Sequence, residues 1–300
     1  MKKLEEAGIV AKFVIGSGKT APVKEAFASE RQRHDDFLVL PIVEDYHNLV
    51  NKTREFIRAV MESYEPKYIV KVDDDVYLKL TRLPEAVKQW ESRQVDYTGC
   101  MKRGPVYSDP SNRWYEPQHA LLGDEYFSHC WGSLVGVELD RRAVACPDRL
   151  SLRLPPSLSL SLSLSLSLSF CVCVCLPPPL SLSPPAPLAR QYVMSGKAAT
   201  SMLAVPETFM RSFENEDVTI GAFMLAANVQ HYDDRRLCAN TCEKGGIGLY
   251  DVPTPGLNPV IARMHELHES AACRADEDRF DVSVPAVMPA IVFSTVNREG

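Results

Sequence analysis

Several motifs that would assign this chain quickly are missing. No Cys-x-x-Cys pair occurs among its nine cysteines, which argues against a zinc site of the usual spacing. His265-Glu266-Leu267-His268 has the wrong spacing for a His-Glu-x-x-His metalloprotease motif and reads as a surface helix. Positive charge is not in excess: 33 Lys and Arg against 39 Asp and Glu give a net charge of -6. A nucleic-acid partner is therefore not expected, and an anionic ligand would need a metal bridge or a local basic group. Residues 1–10 hold no apolar run of signal or anchor length, so the sequence reads either as a cytosolic protein or as a fragment lacking its targeting segment. Gly16-Ser17-Gly18-Lys19-Thr20 imitates a phosphate-binding loop, but position 13, where the motif needs glycine, is Phe.

What is present is an ordinary globular composition, 45% hydrophobic and 24% charged over 300 residues, enough for one large domain or two small ones. The most informative stretch is Tyr68-Ile69-Val70-Lys71-Val72-Asp73-Asp74-Asp75. Its β-prone start reads as a buried strand that ends in three consecutive carboxylates. Three adjacent negative charges repel one another, and a hard divalent cation bound through oxygen relieves that repulsion. Strand alternation puts Asp73 and Asp75 on one side and Asp74 on the other. The competing reading is a solvated acidic turn; an EF-hand fails because its glycine and its closing glutamate are absent.

Around that stretch, Lys12-Phe13-Val14-Ile15 and Phe37-Leu38-Val39-Leu40 read as strands, the second stopped by Pro41, and residues 23–34 read as a polar helix. Glu44-Asp45-Tyr46-His47-Asn48 opens a helix whose apolar face carries Leu49, Phe56, Ile57, Val60 and Met61, up to Pro66. A further short helix over 83–90 is opened by Pro84. The alternation of strands and helices predicts an α/β fold with a mainly parallel, doubly wound sheet and a ligand at its carboxyl edge. Residues 97–132 mix aromatic, Gly, Pro and polar groups, a texture that suits either a sugar or packed loops.

From residue 133 to 190 the texture changes to a Ser-Leu alternation followed by Phe170-Cys171-Val172-Cys173-Val174-Cys175. A CT dinucleotide repeat would encode that alternation, so a translated intron or a disordered insertion is expected here rather than a membrane span. Removing these residues leaves Cys100, Cys130, Cys238, Cys242 and Cys273, an odd number with at least one unpaired thiol. Globular texture resumes at Gln191. Phe213-Glu214-Asn215-Glu216-Asp217-Val218 then precedes an apolar helix over 222–229. Asp217 fits either a helix-end carboxylate stabilised by the dipole or a general base. His231 fits either a metal ligand or a residue at a helix carboxyl end.

With these motifs placed, the chain resembles the beta-1,3-galactosyltransferases of glycosyltransferase family 31, in particular their plant and algal branch. The matching runs are EDYHNLVNKT from Glu44, KVDDDVYLKL from Lys71, TGCMKRGPV from Thr98, the DP…RWYEP run ending at Pro117, LLGDEYF from Leu121 and NEDVTIGAFMLAANVQHYDDRRLC from Asn215. The resemblance implies a GT-A (Rossmann-like) fold with a mainly parallel mixed sheet flanked by helices. It implies residues 1–132 and 191–275 as the donor-nucleotide and acceptor halves of one domain, the insertion over 133–190 between them, and a tail over 276–300.

The resemblance further implies manganese with UDP-galactose as donor, transfer with inversion to a hydroxyl of a glycan or glycoprotein, and a Golgi membrane enzyme facing the lumen behind an N-terminal anchor absent from this sequence. Position by position, the DxD motif falls on Asp73, Asp74 and Asp75, with Asp73 and Asp75 as metal ligands and His231 near the family's histidine ligand. Asp217 falls on the base position. Asp45, Asn48 and Lys52 fall on the donor-side motif, together with Asp73 and Asp74. Alternatives are a UDP-N-acetylglucosamine transferase of the same fold, or a non-catalytic UDP and metal binder whose acceptor site is split by the insertion.

Overall fold

A computed structural model describes residues 2–73, 76–112, 114–130, 191–239, 241–250, 260–274 and 290–295. Asp74, Asp75 and the insertion over 133–190 lie outside the described residues. In chain order the elements are α1 (Lys2–Glu6), β1 (Ile9–Ser17), α2 (Ala21–Arg33), β2 (Phe37–Val43), α3 (Leu49–Tyr64), β3 (Tyr68–Asp73), β4 (Val76–Leu78), α4 (Leu83–Ser92), β5 (Tyr97–Gly99), β6 (Met101–Lys102), α5 (His119–Leu122) and β7 (His129–Cys130). After the insertion come β8 (Gln191–Ser195), α6 (Gly196–Ala204), α7 (Glu216–Ala226), β9 (His231–Asp233), β10 (Gly248–Tyr250), α8 (Val260–Glu269), α9 (Ala271–Arg274) and β11 (Ala290–Thr295).

Seven strands form one sheet in the order β2-β1-β11-β3-β8-β5-β9, and β10-β4 and β6-β7 form two small ones. The chain is α/β, but the expected mainly parallel sheet needs correcting. Strands β2, β1, β11 and β3 are parallel, whereas β8 runs antiparallel to both β3 and β5, and both small sheets are antiparallel. The reason lies in the connections. Helical crossovers return the chain to the same sheet edge between β1, β2 and β3, as parallel pairing requires. After Gly99 the chain stays at the carboxyl edge through β6 and β7, so β8 starts there, with Gln191 opposite Val72, and runs back to Ser195 opposite Tyr68. Residues 290–295, within the segment read as a tail, form β11 between β1 and β3. Strand β2 continues through Pro41, which is tolerated because β2 is an edge strand.

Alternation along β3 divides the core. Ile69 packs with Phe56, Ile57 and Val60 of α3, Ala198 and Met202 of α6, and Ile220 and Met224 of α7. Tyr68, Val70 and Val72 pack on the opposite side with Leu83, Ala86 and Trp90 of α4. Lys71 shares the parity of Ile69 and is therefore directed toward the α3 and α7 side with no room to reach solvent; it is 1% exposed. Two disulfides, Cys100–Cys238 and Cys242–Cys273, tie the second half of the chain to itself and to the β5–β6 junction, and Cys130 is a buried free thiol.

The turn from β8 into α6 needs glycine. A β-carbon on Gly196 would lie 2.2 Å from the Pro66 carbonyl oxygen. Gly196→Ala is expected to cost about 1–3 kcal/mol through that overlap, seen as a lower urea midpoint with an unchanged slope.

Candidate active site

The first turn of α7 and the end of β3 meet at one buried lysine. Lys71 Nζ donates to Asp73 Oδ1 at 2.9 Å and stands 3.6 Å from Glu216 Oε2. It also lies 5.5 Å from the centre of the Tyr192 ring, whose hydroxyl donates to Glu216 Oε1 at 2.6 Å. Burial opposes the charge on Lys71, but the carboxylates of Asp73 and Glu216 outweigh it and hold the ammonium above its ordinary range. Burial raises Glu216, with Lys71 and the Tyr192 hydroxyl acting against it. The two acidic motifs, far apart in sequence, thus share one cation.

Asp217, next in the helix, is 4% exposed. Its Oδ2 lies 3.7 Å from His129 Nε2 on β7, and its Oδ1 accepts from the Val218 amide at 3.0 Å. Lys102 on β6, in register with His129, is pushed down to about 7 by burial, against the pull of the Asp217 charge and with that of Arg235. Asn215, not Asp217, holds the N-cap position, and α7 begins at Glu216, earlier than the sequence reading placed it.

The loop over 103–127 is clamped to the same helix entrance. Glu116, fully buried, accepts from the amides of Gln118 and Glu214, each at 3.0 Å. Gln118 Nε2 donates to the Ser212 carbonyl at 2.7 Å, and the Tyr107 and Trp114 rings stand 5.9 Å apart. Aromatic surface is therefore fixed close to the acids, as a sugar site requires.

Of the donor-side residues, Asp45 is half-exposed and pairs with Lys19 at 2.8 Å; the hydrogen bond from Lys19 and that from the His47 amide hold its carboxyl below the usual range. His47 Nδ1 meets Glu214 Oε1 at 3.0 Å, so this segment adjoins the α7 entrance. Asn48 Oδ1 accepts from Asn51 Nδ2 at 2.7 Å. Lys52 is buried and paired with Glu44, whose other contact is the Gly16 amide, so its ammonium supports the end of β1. Lys19, from the false phosphate loop, serves Asp45 instead.

His231 is not brought to Asp73. On β9 it is in register with Tyr97, which faces Met194 and through it Ile69, four residues short of Asp73 on β3. That row and three strand spacings separate their Cα atoms by roughly 20 Å. Its ring packs edge-on against Tyr97 at 5.3 Å. His268 of α8 instead meets the Tyr77 hydroxyl at 3.2 Å, just beyond the aspartate run.

Among the described residues no group of three His, Cys, Asp or Glu side chains is arranged to hold a metal. Asp73 at the end of β3 offers carboxylate oxygen, the donor type that fits a hard divalent cation. A cleft of about 1110 Å³ lies at the opposite edge of the sheet, lined by Lys67, Asp96, Ser195 and Lys197, and none of the residues discussed above for the site lines it. Lys71, Glu216, His129 and Lys102 were missed as site residues. For Lys71 the signal was there: a lysine inside a buried strand needs a carboxylate partner.

Together these features define an α/β protein whose sheet edge gathers carboxylates from two distant motifs beside an aromatic loop. A family model described as Galactosyltransferase matches residues 1–138. Two Arabidopsis thaliana proteins, probable beta-1,3-galactosyltransferases 13 and 12, are each 32% identical over 275 and 273 residues, covering 91% and 90% of this chain. A third, beta-1,3-galactosyltransferase 7 of the same plant, is 24% identical over 290 residues, covering 90% of this chain. Over about 90% of its length the chain is similar to these galactosyltransferases. It spans 64%, 58% and 59% of the length of these three relatives.

Proposed function

We propose that this chain transfers galactose from UDP-galactose to a hydroxyl of a glycan or glycoprotein acceptor, forming a beta-1,3 linkage with inversion, on a GT-A type of fold. The observation that carries this reading is the Lys71 bridge, which brings the aspartate end of β3 against the acid pair of α7. A donor held by the first and a base supplied by the second is what a single displacement at an anomeric carbon requires.

Manganese held by Asp73 and Asp75 would offset the charge of the departing diphosphate. Asp217 takes the proton from the acceptor hydroxyl as that oxygen bonds to the anomeric carbon, and the bond to UDP breaks with its electron pair left on the phosphate. The aromatic loop over 103–127, clamped by Glu116, excludes water and stacks on the sugar. Asp45 and Asn48 border the donor side; Lys52 supports that wall through Glu44.

The reading places the protein in the Golgi lumen. The two disulfides support an oxidising compartment. Among the described residues no helix is long and apolar enough to cross a membrane.

The test is calorimetric titration of UDP-galactose and of UDP-N-acetylglucosamine with and without manganese, followed by linkage analysis of the product formed on an oligosaccharide acceptor. Manganese-dependent binding of UDP-galactose and a beta-1,3 product are expected. Preference for the other donor would replace galactose in the assignment, and binding without transfer would favour a non-catalytic UDP and metal binder.

A further inference from the structure

Upstream of α7, Phe209 holds its ring in water. It is 82% exposed, the largest value among the exposed apolar side chains of the described residues. Single exposed apolar residues are common, and one on a slack loop would call for no account. This one sits on a braced turn. The Phe209 amide donates to the Pro206 carbonyl at 2.9 Å and the Met210 amide to the Glu207 carbonyl at 3.0 Å. Arg54 of α3, itself 5% exposed, ties both ends of the turn with one guanidinium. Its Nη2 donates to the Val205 carbonyl at 3.3 Å, its Nη1 meets Met210 Sδ, and its Nε stands 3.7 Å from Glu207 Oε1. The Met210 side chain packs against the core beneath. The backbone is thus fixed with the ring outward, and Phe209 forgoes the stabilisation that burial of a side chain this size gives.

The chain that follows sets the position of this ring. Arg211 Nη1 donates to Gln118 Oε1 at 2.7 Å, Gln118 Nε2 donates back to the Ser212 carbonyl, and the Glu214 amide donates to Glu116. Glu214 also meets His47 of the donor side. The segment from Phe209 to Asp217 therefore passes between the donor-side residues and the aromatic loop, and it ends at the proposed base. Five residues of chain separate Phe209 from Glu214, which keeps the two within about 18 Å, the reach of a short oligosaccharide.

We propose that Phe209 is an outlying acceptor platform, its ring stacking on a sugar of the acceptor glycan one or more units from the hydroxyl that reacts. This rests on the reading of the site given above and adds that the substrate is an extended oligosaccharide rather than a single sugar. A hexose has an apolar face of C–H groups that covers an aromatic ring, while its hydroxyls stay in water at an open position such as this. No bond forms or breaks at Phe209. Its contribution is to binding, so it is read in KM for the acceptor and depends on acceptor length.

Transfer assays on the full chain, with UDP-galactose and manganese saturating, test this. Methyl glycosides of galactose, glucose, N-acetylglucosamine and N-acetylgalactosamine are compared with trisaccharides ending in the same sugars. The wild type is expected to favour a trisaccharide over its matched methyl glycoside by about 5- to 20-fold in kcat/KM, the scale of covering one face of an aromatic side chain. Phe209→Ala should erase that preference by raising KM for the trisaccharide, with kcat, KM for UDP-galactose and the urea midpoint unchanged. Phe209→Tyr should keep the preference and Phe209→Leu should lose it, because a ring face is needed and not apolar area alone. No length preference in the wild type, an equal loss on both acceptors in Phe209→Ala, or full activity in Phe209→Leu would overturn the platform. Were no acceptor galactosylated, the reading of the site would fall separately, and saturation-transfer NMR of the same trisaccharides would decide the platform without turnover. Contact with the wild type that is lost in Phe209→Ala would support it; no contact, or equal contact in both, would overturn it.

Discussion

Asp217→Asn should lower kcat for galactose transfer by about 10²- to 10⁴-fold while leaving UDP-galactose binding intact, because it removes the group proposed to take the acceptor proton. Asparagine matches the carboxylate in shape, so the fold keeps its packing. The alternative role for Asp217, a first-turn carboxylate interacting with the helix dipole, is worth only about 0.3–1 kcal/mol and acts on stability alone. The two roles are separated by magnitude and by readout. A large fall in kcat with a small change in urea midpoint assigns catalysis. A small change in midpoint with kcat untouched would leave Asp217 as a helix-end carboxylate. Asn215 holds the N-cap position, though its side chain makes no capping hydrogen bond to α7.

Lys71→Met should destabilise the fold by about 3–5 kcal/mol, among the largest effects of any single substitution here. Methionine fills much the same volume but leaves Asp73 and Glu216 facing each other without their shared cation. The loss depends on pH with a definite sign. The folded Glu216 holds its proton more readily than an ordinary glutamate, first because it is buried. Its stabilising contribution is therefore present below the ordinary glutamate range and is lost as pH rises through its raised value. Lys71 offsets that loss in the wild type. In Lys71→Met that cation is gone and only hydrogen bonding such as that from Tyr192 remains against burial, so the destabilisation measured by urea unfolding should be greater at pH 8 than at pH 5. An equal cost at both pH values would mean that Glu216 is not the group Lys71 neutralises.

The parts of this structure legible in the sequence are those set by local periodicity and local charge. Leu49, Phe56, Ile57 and Val60 recur on one helical face, and they are the buried face of α3. The apolar run before the aspartates is a strand buried along its length. Long-range partners were not legible. Nothing local tells that β8 returns antiparallel from the carboxyl edge, since that direction depends on where the preceding chain leaves the sheet. Nor does local sequence show that His129 faces Asp217, because that contact spans the insertion and depends on the close approach permitted by Gly221. His231 shows the same limit: its sequence position just beyond α7 does not reveal that strand register sets its ring against Tyr97, roughly 20 Å from Asp73.

The free thiol of Cys130 has a consequence for how the chain acquires its disulfides. Its sulfur lies next to Gly99, where a β-carbon would meet it at 3.0 Å, and so it is adjacent to Cys100, whose native partner is Cys238. In the unfolded chain Cys130 is the nearer competitor: 30 residues separate it from Cys100, against 138 for Cys238. Loop-closure statistics alone then favour the wrong pair about tenfold. Once β7 has docked on β6, burial raises the thiol and suppresses the thiolate needed for exchange. A two-residue ladder between these strands thereby keeps the competing sulfur out of exchange with the native Cys100–Cys238 pair.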